Sequence, residues 1–279
     1  MMRSLGITRV FVVVGHLGHE VVRALGDGGE GMTVDYVEQT ETLGIAHALG
    51  QLEGRIDGPL LLCLGDVYVR SSRLDEMLSL HATGARGILA SKREADPEMI
   101  RRNFVILAEE DGQVRRVIEK PRGDYGRWKG CGLYLFGPEV FDAIRRTPRS
   151  AMRDEYEITD SIQIMIDDGH RVLHAPVVDD DLNLTVPEDL LTANLLALQR
   201  LGHEHFFLEA PRMGPGVRCE GVVGGAGITL GRGAILRDCV LFDGVTIPDG
   251  MVLTGAIVTP NEVLLCAPRR PPMDSRNMP

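Results

Sequence analysis

Two runs, Val10-Phe-Val-Val-Val14 and Leu60-Leu-Leu-Cys-Leu64, are apolar at every position. A strand with one wet face alternates apolar and polar residues. An unbroken apolar run of five, bounded by glycine, reads instead as a strand covered on both faces. Between and after these runs the pattern lengthens to helical spacing, over residues 19–25, 46–52, 74–81, 138–145, 159–167 and 187–201. Further strands are read at 33–38 and 87–90. Phe104–Leu107 and Val114–Ile118, joined through Asp111-Gly112, predict a hairpin. Pro187 opens the longest helix, and Glu188 and Asp189 lie in its first turn, where carboxylates favour the helix dipole. Strand–helix alternation predicts an α/β domain with a largely parallel sheet over residues 1–205.

The texture changes after Gly214. Glycines become dense and apolar residues recur at about six-residue intervals, as in Leu230-Gly-Arg-Gly233, Ile247-Pro-Asp-Gly250 and Leu253-Thr-Gly255. A five-residue step interrupts the register near Phe242-Asp243-Gly244. Such hexads predict a short left-handed β-helix over residues 206–266. The Pro-rich residues 267–279 are expected to be disordered. The formal net charge of -10 argues against nucleic acid as a partner. No apolar run approaches the ~20 residues of a membrane span, so no membrane partner is expected. The five scattered cysteines form no metal-binding cluster and predict reduced thiols in the cytoplasm.

Four segments carry candidate chemistry. The Leu60–Leu64 run ends in Gly65-Asp66, placing a carboxylate at the carboxyl end of a buried strand, where ligands of open α/β sheets bind. Val114-Arg-Arg-Val-Ile118 delivers Glu119 and Lys120 side by side before Pro121 stops the strand. Gly130-Cys-Gly132-Leu-Tyr134 offers close backbone approach at Gly132. Tyr134 lies on the same face of the strand and is either pocket wall or core. Gln39, whose amide both donates and accepts, precedes Gly44-Ile-Ala-His47.

This ordered set resembles the sugar-phosphate nucleotidylyltransferase family, which joins a nucleoside triphosphate to a sugar 1-phosphate and releases pyrophosphate. The resemblance implies a Rossmann-like nucleotide-binding sheet and a Mg²⁺ cofactor. It also implies that Asp66 is a catalytic metal ligand and that Lys120 holds the sugar phosphate. Glu119, Gly132 and Tyr134 would line the sugar site, and Gln39, Gly44 and Gly65 the nucleotide site. The family's second metal-ligating Asp falls on Asn183 here, with Asp181 as the alternative. Two departures stand out. The family's Gly-x-Gly-Thr-Arg-Leu phosphate loop occurs nowhere in this sequence, and Asn103 stands where the family commonly has Gly. The resemblance therefore implies an N-terminally incomplete sheet and impaired turnover, or else a non-catalytic regulatory or scaffold subunit. A missing central strand would leave strand edges open, which predicts a homo-oligomer.

Overall fold

The computed structural model describes residues 2–29, 31–151 and 153–266. Contacts divide the chain into two units, one ending at Asp181 and the other beginning at Leu182. The predicted disordered tail lies outside the described residues.

The first unit opens with a 3-10 turn, Met2–Leu5, then β1 (Arg9–Val14), α1 (Gly18–Leu25), β2 (Gly28–Gly29), β3 (Met32–Glu38) and α2 (Ile45–Gly50). There follow β4 (Leu60–Cys63), β5 (Val67–Arg70), α3 (Asp75–Ala82), β6 (Gly87–Arg93), α4 (Pro97–Arg101), β7 (Phe104–Ala108) and β8 (Val114–Glu119). β9 (Trp128–Phe136), α5 (Val140–Arg146), α6 (Ile158–Asp167) and β10 (Val172–Ala175) complete it, and the boundary falls within β11 (Asp180–Asn183). Local chemistry explains several ends. Asp96 caps α4 by accepting a 2.9 Å bond from the Glu98 amide, with Pro97 just inside the helix. Gly112, at φ +83, makes the turn of the β7–β8 hairpin.

The sheet is mixed rather than largely parallel. β10 and β6 pair in parallel, but β9 runs antiparallel to β6, β4 and β7, and β8 antiparallel to β7. The reason is connectivity. Helical crossovers enforce parallel neighbours, whereas the Asp-Gly hairpin and the long strand β9 return the chain directly beside its partners. β1 and β3 form a separate parallel pair, edged by β2. Among the described residues β1 bonds only to β3, and β4 only to β9. Phe11 and Val13 of β1 nevertheless pack against the same core cluster as Leu60 and Leu62 of β4. The apolar runs that predicted doubly covered strands thus each end at an open edge. α1 is likewise amphipathic but buries no residue: Leu25 is 53% exposed.

The second unit contains α7 (Pro187–Leu201), β12 (His205–Phe207), β13 (Arg212–Met213), β14 (Arg218–Gly224), β15 (Thr229–Leu230) and β16 (Ile235–Leu241). β17 (Thr246–Ile247), β18 (Val252–Val258) and β19 (Val263–Leu265) follow. β12, β14, β16 and β18 stack in parallel, with His205, Val222, Cys239 and Ala256 in register, each one step of 17 residues from the last, and β19 returns antiparallel to β18. Arg212, Thr229 and Thr246 repeat the same step. That step is one residue short of three hexads, so the five-residue interval belongs to every coil and not to one interruption. Leu236, Cys239, Leu241 and Leu253 fill the interior. α7 lays Leu191 against Val240 and Ile257 of this stack, which is why its contacts place it here rather than in the first unit. Asp189 accepts from the amides of Thr185 and Val186 at 3.0 Å each, fixing the start of α7.

Candidate functional site

Strand registers leave a break along β9. β4 pairs with Leu133–Phe136 of that strand, and β7 meets the same edge at Lys129. The stretch Gly130–Gly132 between them has no strand partner on that edge among the described residues. Gly65-Asp66 leaves β4 directly beside it, with the Leu64 amide bonded to the Gly132 carbonyl at 3.0 Å. From the other side Glu119 ends β8 opposite Phe104, and the Lys120 amide bonds the Asn103 carbonyl at 2.8 Å. Asp66, Gly132, Glu119 and Lys120 therefore converge on one gap. Convergence at the carboxyl edge of a parallel sheet is replaced by convergence at a break in a mixed one.

Each residue is held for a local reason. Gly130 is glycine because the Phe104 ring fills its side-chain space: a Cβ would lie 1.8 Å from Cζ. Gly132 sits at φ +67, and a Cβ there would come within 3.1 Å of Val67. It lines a cleft of about 210 Å³ with Leu64, Val67 and Tyr68. Lys120 has φ +41, a left-handed conformation uncommon for a side chain this large. Asp66 is exposed, and its carboxylate makes no hydrogen bond or ion pair among the described residues. Gly65 is exposed beside it, with open space around it. Tyr134 is core: it is buried in a stack between Phe104 and Phe136, with ring centroids 6.0 and 5.7 Å away. Burial pushes its phenol up.

Glu119 is the strongly shifted carboxyl at the gap. Burial, reinforced by the nearby Glu157 carboxylate, raises it to about 7, against the pull of Arg153 and Lys120. Thr159 donates to its Oε2 at 3.4 Å. Arg153 in turn holds Glu157 at 3.1 Å and Glu155 at 2.9 Å.

The segment bearing Arg153, Tyr156, Glu157 and Thr159 was not singled out by the sequence reading, which saw only the start of a helix. It joins two candidate regions. The Tyr156 amide bonds the Leu43 carbonyl at 2.7 Å, and the Tyr156 carbonyl accepts from Ala46 at 3.0 Å. Gly44, at φ +100, is forced by this clamp, because a Cβ would lie 2.7 Å from the Tyr156 carbonyl oxygen. Close approach to a nucleotide is not needed to explain it. Gln39 follows β3, its amide held by the Val14 carbonyl at 2.7 Å, and its side chain meets His47 Nδ1 at 2.7 Å.

Asp181 does not join the gap as an available ligand. It is buried, with Lys129 Nζ at 2.6 and 2.9 Å and Lys92 Nζ at 2.8 Å. Burial alone would raise its carboxyl, but the two ammonium groups hold it below the usual range. Asn183 belongs to the second unit.

The nucleotidyl transferase family model matches residues 1–193. A low-salt glycan biosynthesis nucleotidyltransferase, Agl11 of Haloferax volcanii, is 32% identical over 201 residues, covering 71% of this chain and 55% of that protein. The chain thus spans little more than half the length of that relative. A glucose-1-phosphate thymidylyltransferase of Streptomyces griseus is 30% identical over 270 residues, 93% of this chain and 70% of its own. A crystal structure of UDP-glucose pyrophosphorylase complexed with UDP-glucose superposes at a TM-score of 0.64 with 20% identity, over 71% of this chain and 83% of that one. At that identity the likeness shows the fold.

Proposed function

The chain belongs to the nucleotidyl transferase family, and from that premise we propose that it transfers a nucleotidyl group from a nucleoside triphosphate to a sugar 1-phosphate. The sugar phosphate oxygen attacks the α-phosphorus, the bond to the bridging oxygen breaks, and pyrophosphate leaves with the electron pair. Catalysis of this kind rests on positioning and charge neutralisation. The observation that carries the reading is the convergence of Asp66, Gly132, Glu119 and Lys120 on the break in β9.

Lys120 is the cation for the sugar phosphate, and Glu119 accepts hydrogen bonds from sugar hydroxyls. Gln39 meets the nucleotide base. Asp66 suits Mg²⁺, since it is an exposed carboxylate with no internal partner among the described residues; when bound there, the ion would offset phosphate charge. Asp181 is unsuited, since two ammonium groups occupy its oxygens. The stacked coils are proposed to wind left-handed, and the five unbridged thiols fit a cytoplasmic protein. Copies are proposed to associate through the free edge of β1.

The test is pyrophosphate release from each common nucleoside triphosphate with glucose, mannose and glucosamine 1-phosphates, with and without Mg²⁺. Release that disappears in Asp66→Ala and Lys120→Ala supports the reading. Release that survives both substitutions refutes the site. No release with any pair favours the non-catalytic subunit.

A further inference from the structure

His47 lies on α2, eight residues beyond Gln39, and has no assigned part in the reaction. Its Nδ1 lies 2.7 Å from Gln39 Nε2, and its Nε2 lies 3.2 Å from Gln51 Nε2. The ring stacks on Tyr156 at 6.1 Å with planes 26° apart. Tyr156 is itself fixed by backbone bonds to Leu43 and Ala46. The imidazole is thus gripped on one face and engaged at both nitrogens.

A neutral imidazole carries one N–H. An amide nitrogen donates and does not accept, so one of the two glutamines presents its amide oxygen to the ring N–H, the two amide ends being nearly interchangeable in position. The polarity of the Gln39 amide is thus tied through the ring to that of Gln51, whose Nε2 also donates to the His47 carbonyl at 3.4 Å. A glutamine amide that is free to turn over exchanges its oxygen and nitrogen at nearly identical positions. A base edge meeting such a side chain finds the matching donor and acceptor only part of the time.

We infer that His47 is a positioning residue: it anchors the Gln39 amide in one orientation, so that Gln39 presents a fixed hydrogen-bonding pattern to the nucleotide base. This rests on the proposed role of Gln39 as the base-contacting residue. His47 itself touches neither phosphate nor sugar in this arrangement. Its loss is therefore felt by ligands that carry a base and not by bare polyphosphate.

The experiment is calorimetric binding to the full chain, using the four common ribonucleoside triphosphates, dTTP and inorganic tripolyphosphate. His47→Leu removes both ring nitrogens but keeps an apolar body against Tyr156. His47→Asn places an amide atom where Nδ1 stood. Loss of one well-placed hydrogen bond weakens binding about tenfold. We expect His47→Leu to weaken the preferred nucleotide about tenfold and to flatten the ranking of bases, leaving tripolyphosphate unchanged. His47→Asn should regain most of the affinity. Gln39→Leu should reproduce the His47→Leu pattern. If Gln39→Leu has this effect and His47→Leu does not, the positioning role is overturned and the base site stands. Equal weakening of tripolyphosphate by His47→Leu makes the residue merely structural and also overturns the inference. If the wild-type chain binds no nucleotide, or Gln39→Leu changes nothing, the base reading and the inference fall together.

Discussion

Asp181→Asn isolates the energetics of the buried charge cluster. The substitution keeps size and shape and removes one negative charge. In the native chain that carboxylate, 1% exposed, meets Lys129 at 2.6 Å and Lys92 at 2.8 Å. Glu94 lies 3.3 Å from Lys92 and 4.0 Å from Lys129. Two cations thus face two anions, and the charges balance. In Asp181→Asn two buried ammonium groups face Glu94 alone. Breaking a buried pair by removing one partner costs about 3–5 kcal/mol, because the survivor stays desolvated. The Asn oxygen still accepts one bond, so the expected loss is near the lower end, about 3 kcal/mol. Lys129→Met is milder, since Asp181 keeps Lys92. Combining Lys129→Met with Asp181→Leu replaces the pair by apolar groups and should recover much of the loss. The assay is urea unfolding followed by fluorescence of Trp128, the chain's single tryptophan and the residue beside Lys129 in β9. It therefore reports on the first unit. A loss below about 1 kcal/mol for Asp181→Asn, or a double variant as unstable as the single, would refute the reasoning. A pH series adds a sign. Asp181 is held below its ordinary value when folded, so its contribution is present above the unfolded value and fades as pH falls through the folded one. That acid-side slope should shrink in Asp181→Asn.

Four other outcomes are expected. Glu119 is raised from 4.5 to about 7 in the fold, so the folded chain binds more protons between these values, and stability falls as pH rises across that window. Glu119→Gln should remove that slope and gain on the order of 2–3 kcal/mol at pH 8; identical pH–stability curves for the two proteins would contradict the assignment. Gly44→Ala must move the Tyr156 carbonyl or strain a φ of +100, so a melting temperature lowered by several degrees is expected, with unchanged melting the contrary result. Val12→Lys puts a charge on the open strand β1, and light scattering should show a smaller mass than for the wild-type chain; a wild-type chain that is already monomeric removes the premise. Asp181→Asn should leave the Mg²⁺ dependence of any pyrophosphate release unchanged, since that carboxylate has no oxygen to spare; lost metal dependence in a folded variant would return Asp181 to the ligand set.

Periodicity recovered many of the elements because burial writes it into the chain, while β5, α4, β10 and β11 were not read. Val10–Val14, Leu60–Leu64 and Pro187–Leu201 all fall on their structural counterparts within a residue or so. Strand direction was not legible. Nothing in Trp128–Phe136 marks it as antiparallel to three neighbours, because apolar runs look alike whichever way they run. The 17-residue coil step was half legible: the hexads show, but a five-residue interval looks like an irregularity until the strands are seen in register.

The candidate site divides in the same way. Asp66, Glu119 and Lys120 stand at strand ends flanked by glycine or proline, and such punctuation survives in sequence. Lys129 and Lys92 could not be assigned, since a lysine inside an apolar strand has a meaning only once its partner is known. Asp181 supplies that partner from more than fifty residues away in one case and nearly ninety in the other. Glu157 and Thr159 were hidden for a related reason. Their part depends on Tyr156 clamping the Leu43–Ala46 turn on one side while Thr159 reaches Glu119 on the other. That segment is the physical link between the loop after Gln39 and the gap in β9. A substitution that loosens it should therefore disturb both together. Tyr156→Ala removes the ring under His47 yet leaves the backbone bonds to Leu43 and Ala46 available. If the ring is what seats the segment, Tyr156→Ala weakens nucleoside triphosphate binding as His47→Leu does and also lowers the raised Glu119 carboxyl. If the backbone bonds seat it, the Glu119 carboxyl stays raised, and any loss of binding comes through His47 alone.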